Sequence, residues 1–165
     1  MKIKLLLTGG TIDAQYNYLK AKVDYGGGAH LEEMLKQGRV RLDLDIEQLM
    51  LVDSGDITDE QRQQILEKCH SADTDKIVIT HGTDTMVETA HYLGESIHDK
   101  TIVLVGSMIP YVFHGSDALF NLGAAITAVQ ILGTGVFITM NGKVFNWDNV
   151  NKNFDIGEFQ TKYLS

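Results

Sequence analysis

The chain of 165 residues holds one cysteine, one proline and fewer basic than acidic side chains, and each shortage excludes something. A lone Cys69 forbids an intrachain disulfide and fits a reducing compartment. A single proline, with 44% hydrophobic and 22% charged residues, argues against Pro-rich linkers and against disorder. Fourteen lysines and arginines against twenty-two aspartates and glutamates leave a net charge of −8, which repels a nucleic acid backbone or an anionic membrane surface. The apolar run near the N-terminus is only Leu5-Leu6-Leu7, far short of a signal segment or a spanning helix. The expectation is a single cytoplasmic domain over residues 1–165, with no nucleic acid and no membrane partner. A domain of this length buries roughly 68 to 70% of its unfolded surface and needs no staples.

What the chain does have is alternation. Apolar runs at residues 2–8 (KIKLLLT), 40–46, 76–81 (KIVITH), 101–107 (TIVLVGS) and 135–140 (GVFITM) are separated by segments of helical period. Runs that are apolar at nearly every position suit strands covered on both faces, so the pattern predicts an α/β fold with a doubly wound, mostly parallel, three-layer sheet. Thr58 followed by Gln61 has capping-box spacing and precedes the stripe Ile65, Leu66, Cys69. Asp84 is placed to cap a helix carrying Val87, Ala90, Leu93 and Ile97. Ser116 or Asp117 starts another, which Gly133 stops, and a shorter helix over residues 30–37 ends at Gly38. Two stretches lack periodicity: residues 13–28, a candidate lid with Tyr16, Tyr18 and Tyr25 and three closing glycines, and the tail after an Asn141-Gly142 hairpin turn.

In an open parallel sheet, ligands bind beyond the carboxyl ends of the strands. Read at those places, the chain offers TGGTID with Thr11, DSGDIT with Ser54 and Gly55, HGTDT with Thr83 and Asp84, GSM with Ser107, and a polar segment ending in Lys152. Hydroxyls thus converge on one edge of the sheet, and HGTDT sets a hydroxyl beside a carboxylate. Each Ser or Thr alone reads equally well as a turn or cap residue; the set does not. A phosphate loop, a dinucleotide fingerprint and the nucleophile elbow GxSxG are absent. The six histidines include no HExxH and no close ligand pair, so neither metal nor cofactor is expected.

TGGTI, DSGDIT, ITHGTDTM and VGSMIP, in this order and each after a predicted strand, resemble the bacterial L-asparaginase family from Leu7 to about Lys152. The resemblance implies a flavodoxin-like N-terminal asparaginase domain, in a short form without the family's second domain. It implies a metal-independent amidohydrolase that converts L-asparagine to aspartate and ammonia. Rival readings are glutamine hydrolysis or amidotransferase-type ammonia supply, and a catalytically silent amino acid binding module. Carried over by position, Thr11 is the nucleophile; Thr83, Asp84 and Lys152 form the second catalytic set; and Tyr16 is the lid tyrosine, with Tyr18 and Tyr25 behind it. Ser54 holds the substrate α-carboxylate, Thr83 and Asp84 also contact the substrate, and Gly55 lies beside it without a side chain. Ser107 turns its backbone carbonyl to the substrate amide. The family's habit also implies a homo-oligomer, here through an exposed sheet edge. Asp13 and Asp24 are the loop carboxylates placed to supply a missing acid for the substrate ammonium.

Overall fold

Five parallel strands and one antiparallel strand form the central sheet of the computed structural model, which describes residues 1–24 and 30–163. In chain order the elements are β1 (Lys2–Gly9), β2 (Gln15–Asn17), β3 (Lys22–Asp24), α1 (Leu31–Gln37), β4 (Asp43–Val52), α2 (Asp59–Ser71), β5 (Lys76–Thr80) and α3 (Met86–Gly94). There follow β6 (Thr101–Val105), α4 (Ala118–Ile131), β7 (Gly135–Met140), β8 (Lys143–Asn146), β9 (Asn151–Asn153) and β10 (Glu158–Gln160). The sheet runs β4-β1-β5-β6-β7-β8. Its parallel strands, counted in order of appearance, lie 2-1-3-4-5, the flavodoxin-like arrangement, with the switch point between β1 and β5.

Alternation within each strand feeds two cores. Leu6, Ile77, Ile79, Ile102 and Leu104 pack with α2 and α3, while Ile3, Leu5, Leu7, Val78, Val103 and Val105 pack with α1 and α4. The layers are therefore helix, sheet, helix, and β6 is buried along its whole length. Each fully buried Leu, Ile or Val contributes roughly 1.5–3 kcal/mol. The predicted capping box is present: the Thr58 N–H donates to Gln61 Oε1 at 3.0 Å and the Gln61 N–H to Thr58 Oγ at 3.3 Å.

The structure departs from the sequence reading where edges and short strands are concerned. The strand expected at 40–46 begins at Asp43 and runs to Val52, absorbing the apolar stretch 49–52 that reads as separate. It is an edge strand, so its charges are tolerated: Lys4 pairs with Asp45 at 3.0 Å and with Glu47 at 2.7 Å. Its register with β1 shifts between Leu7 and Gly9. Gly38 stays right-handed at φ −72, and it is Arg39 that takes the left-handed turn at φ 51. Inside the aperiodic stretch from residue 13, β2 and β3 form a small antiparallel hairpin. In the tail, Asn141 at φ 49 and Gly142 at φ 81 make the expected tight turn into β8, and a second hairpin, β9–β10, follows. These strands of three or four residues are too short and polar for a period of two to register.

Candidate active site

At the switch point the chain ends of β1 and β5 approach so closely that only glycine fits. A Cβ on Gly10, which sits at φ +83, would lie 2.2 Å from the Gly82 nitrogen. A Cβ on Gly82 would lie 2.5 Å from Ser54 Oγ. TGGTID, DSGDIT and HGTDT, dispersed in sequence, are thereby packed backbone against backbone.

Thr83 and Lys152 meet in this cluster. Lys152 stands on β9 opposite the buried Phe159, and its Nζ reaches Thr83 Oγ at 2.9 Å and Asp84 Oδ1 at 2.5 Å. The lysine side chain is 7% exposed and the Asp84 side chain 58% exposed, so the ammonium is enclosed while the carboxylate faces outward. The Phe154 ring lies 4.8 Å from Nζ, within cation–π distance. Asp84 does not cap α3; Thr85 holds that position, without a side-chain cap bond, and the Asp84 carboxylate is left for Lys152. The expectation of a cap by Asp84 is thus corrected: the helix starts one residue later, at Met86, and leaves Asp84 outside it. Its N–H instead donates to Ser54 Oγ at 3.2 Å, and Thr85 Oγ donates to the Ser54 carbonyl at 2.7 Å. Ser54 is buried, and its hydroxyl proton remains able to donate to an anion.

Two supports escaped the sequence reading. His81 is fully buried beneath Thr83, its Nδ1 2.7 Å from the Gly82 carbonyl and its Nε2 2.9 Å from Thr89 Oγ, itself 3.3 Å from Arg62 Nε. The carbonyl only accepts, so Nδ1 carries the proton and Nε2 accepts from Thr89. Burial pushes the imidazole down to about 4, so it is neutral at neutral pH and acts as a fixed strut. The Asp117 carboxylate accepts from the backbone N–H of Met108 and of Ile109, from Asn121 Nδ2 and from Asn141 Nδ2, tying the segment after β6 to the β7–β8 turn. A histidine directly after a buried strand and an aspartate before a helix are the signals that mark them, but each is common.

The other predicted residues are placed as follows. Thr11 opens the one-turn segment Thr11–Asp13, where the Asp13 N–H bonds the Gly10 carbonyl at 3.1 Å. The Gly10 N–H is engaged by the Val52 carbonyl at 2.9 Å, so this amide of the glycine turn does not face a ligand. Ser107 is buried, and its Oγ donates to the Ile109 carbonyl at 2.8 Å. Gly55 has open space where a side chain would stand. Tyr16, on β2, is exposed, as is Tyr18, and Tyr25 with glycines 26–28 lies outside the described residues. Asp13 is buried and bonded internally, which corrects its reading as a carboxylate offered to a substrate. Asp24 accepts from Asn17 Nδ2 at 3.3 Å. Among the described residues no group of three or more His, Cys, Asp or Glu side chains is disposed to hold a metal ion, and no helix is long and apolar enough to cross a membrane.

Comparison with known proteins places the chain in a family. Residues 2–156 match the family described as "Asparaginase, N-terminal". L-asparaginase 2 of Escherichia coli is 35% identical over 162 residues, covering 91% of this chain and 46% of its own length. A glutaminase-asparaginase of Pseudomonas fluorescens is 34% identical over 171 residues, covering 93% of this chain and 46% of its own. The solved thermostable L-asparaginase from Thermococcus kodakarensis superposes with a TM-score of 0.86 at 29% identity, over 98% of this chain and 51% of that one. The chain spans about half the length of the relatives it matches. It belongs to the asparaginase N-terminal family.

Proposed function

We propose, from membership of the asparaginase N-terminal family, that this chain hydrolyses the side-chain amide of L-asparagine to aspartate and ammonia. One observation carries the reading: Lys152 Nζ stands 2.9 Å from Thr83 Oγ and 2.5 Å from Asp84 Oδ1, although these residues are separated by 69 and 68 positions in the chain. A threonine hydroxyl is a poor nucleophile until its proton has somewhere to go, and a lysine at hydrogen-bond distance is placed to relay it, its ammonium giving a proton to the departing nitrogen as it takes one from Thr83.

In this reading Thr11 Oγ attacks the amide carbon, and its proton passes by way of Thr83 and Lys152 to the departing nitrogen, which leaves as ammonia. The resulting ester is then opened by water, which returns Thr11 and releases aspartate. Ser54 Oγ donates to the substrate α-carboxylate, Asp84 takes the ammonium, and the Ser107 carbonyl accepts from the amide. Tyr16 joins when the β2–β3 hairpin folds over the substrate. No metal and no cofactor takes part, so chelation leaves the rate unchanged. The chain acts as one cytoplasmic unit that assembles with copies of itself. Of its two sheet edges, β4 is crowded with charge, Asp43, Asp45 and Glu47 together with the lysines that pair with the last two, so the less charged β8 is the edge that pairs. Light scattering reads this assembly.

Ammonia release from L-asparagine by the purified chain tests the activity, with L-glutamine as comparator. Equimolar aspartate and ammonia, abolished by Thr11→Ala, is the expected result. Absence of ammonia at millimolar asparagine overturns the reading.

A further inference from the structure

The buried acid beside Thr11 has no part in the chemistry above. Asp13 ends the one-turn segment that Thr11 begins, is fully buried between the buried Ile12 and Ala14, and uses its two oxygens on two different elements. Oδ1 accepts the His30 N–H at 3.1 Å, at the start of α1, and Oδ2 accepts Thr80 Oγ at 3.5 Å, at the end of β5. Thr80 is gripped a second time by β1, for Thr8 Oγ donates to its carbonyl at 2.7 Å. Three residues beyond Thr80 stands Thr83.

We infer that Asp13 is a positioning residue, a pin that fixes the Thr11 turn against the end of β5 and the start of α1 and so sets the reach between the two threonine segments. A carboxylate is an expensive choice at a site closed to water, and burial pushes this one up to about 6 from 3.8. A group that costs stability while making two hydrogen bonds to separate elements is placed for geometry. A misplacement of about 1 Å at a reacting atom lowers rates roughly a hundredfold, so a pin at this position has leverage on turnover.

The inference rests on Thr11 being the reacting hydroxyl, and the test separates the two claims. Amide hydrogen exchange at His30 reads the pin without any assay of activity; turnover of L-asparagine reads its consequence. Asp13→Asn keeps an acceptor for His30 and a partner for Thr80, so His30 stays protected and kcat stays within about threefold of wild type. Asp13→Ala removes the pin: His30 exchanges at least about tenfold faster, kcat falls at least about tenfold with KM changed less, and the unfolding midpoint at pH 8 does not fall. Thr80→Val removes the second bond from the other side and gives a smaller drop in the same direction, which serves if Asp13→Ala does not fold. Unchanged His30 exchange or unchanged kcat in Asp13→Ala and Thr80→Val overturns the inference, as does loss of kcat that follows a lowered midpoint. If wild type releases no ammonia while His30 exchange behaves as stated, the pin stands and the reading of Thr11 falls.

Discussion

Thr83 is 6% exposed and bonded to a lysine whose side chain is 7% exposed, whereas Tyr16 is 51% exposed on the hairpin that follows Thr11. The two sides of the candidate site are thus built differently. The β5 and β9 side is closely knit: Ser54, Thr83, Asp84 and Lys152 are joined by hydrogen bonds, over a neutral His81 that braces the loop. The β1 side presents a threonine at the head of a pinned turn and a tyrosine on a two-stranded ribbon, and such a ribbon is marginally stable by itself. Electrostatic stabilisation needs preorganised groups, while exclusion of water needs a part that moves. In the proposed reaction, one side supplies each requirement.

The comparison breaks most completely if the two sides are pushed apart. Gly10→Ala puts a Cβ 2.2 Å from the Gly82 nitrogen at a φ of +83, so both backbone strain and a clash with backbone oppose it. The expected outcome is a loss of about 3 kcal/mol or more in urea unfolding and no measurable ammonia release. Next in size, Thr11→Ala and Thr83→Val each remove one hydroxyl from opposite sides. Each is expected below a tenth of wild-type turnover with the fold kept, and the double variant little worse than the worse single one, because the two act as a unit. Additive losses in the double variant mean that the sides work independently.

The pH dependence of stability sharpens the same contrast. The folded chain holds the Asp13 proton up to about 6 and the unfolded chain only to 3.8, so stability from this group is present at low pH and lost as pH rises through that window. The shift corresponds to roughly 3 kcal/mol of destabilisation by the carboxylate above pH 7. His81 works in the opposite sense: its folded value is about 4 against 6.5, so the stability of the neutral ring is present above 6.5 and lost as pH falls toward 4. Asp13→Asn is therefore more stable than wild type at pH 8, by up to roughly 3 kcal/mol, and the advantage shrinks toward zero by about pH 4. Thermal unfolding of both proteins across that range checks it, and a pH-independent difference contradicts the assignment. The smallest effect is that of Tyr16→Phe, expected to lower kcat several-fold and leave KM nearly unchanged, because the hydroxyl acts after the hairpin has closed. A raised KM at unchanged kcat makes Tyr16 a binding residue instead.

The doubly wound sheet, the two helical layers and the loops that carry Thr11, Ser54, Thr83 and Ser107 were legible because buried parallel strands such as β5 and β6 are apolar throughout and glycines mark their ends, whereas the flavodoxin-like order was implied only by the family resemblance. Lys152 was legible only by likeness to a family pattern, since it stands on a three-residue strand with no period of its own. What composition and spacing do not carry is partnership at long range. That Asp84 turns to a lysine 68 residues away rather than to the helix beside it depends on where β9 lands. Asp13 reads as a loop acid until β5 and α1 are seen to close over it, and the edge strand β4 reads as two segments because Glu47 and Gln48 interrupt its apolar positions, while the Lys4 that pairs with Asp45 and Glu47 comes from the neighbouring strand.

The most direct measurement is the rate of ammonia release from L-asparagine by Lys152→Met beside wild type. Methionine keeps an unbranched apolar stem of similar reach and lacks the nitrogen that joins Thr83 to Asp84. General acid and base groups contribute about 10² to 10⁴ in rate, so kcat is predicted to fall at least about a hundredfold while the unfolding midpoint stays near that of wild type. A folded Lys152→Met variant that keeps more than about a tenth of wild-type turnover contradicts the account, since the enclosed lysine then has no part in moving the proton.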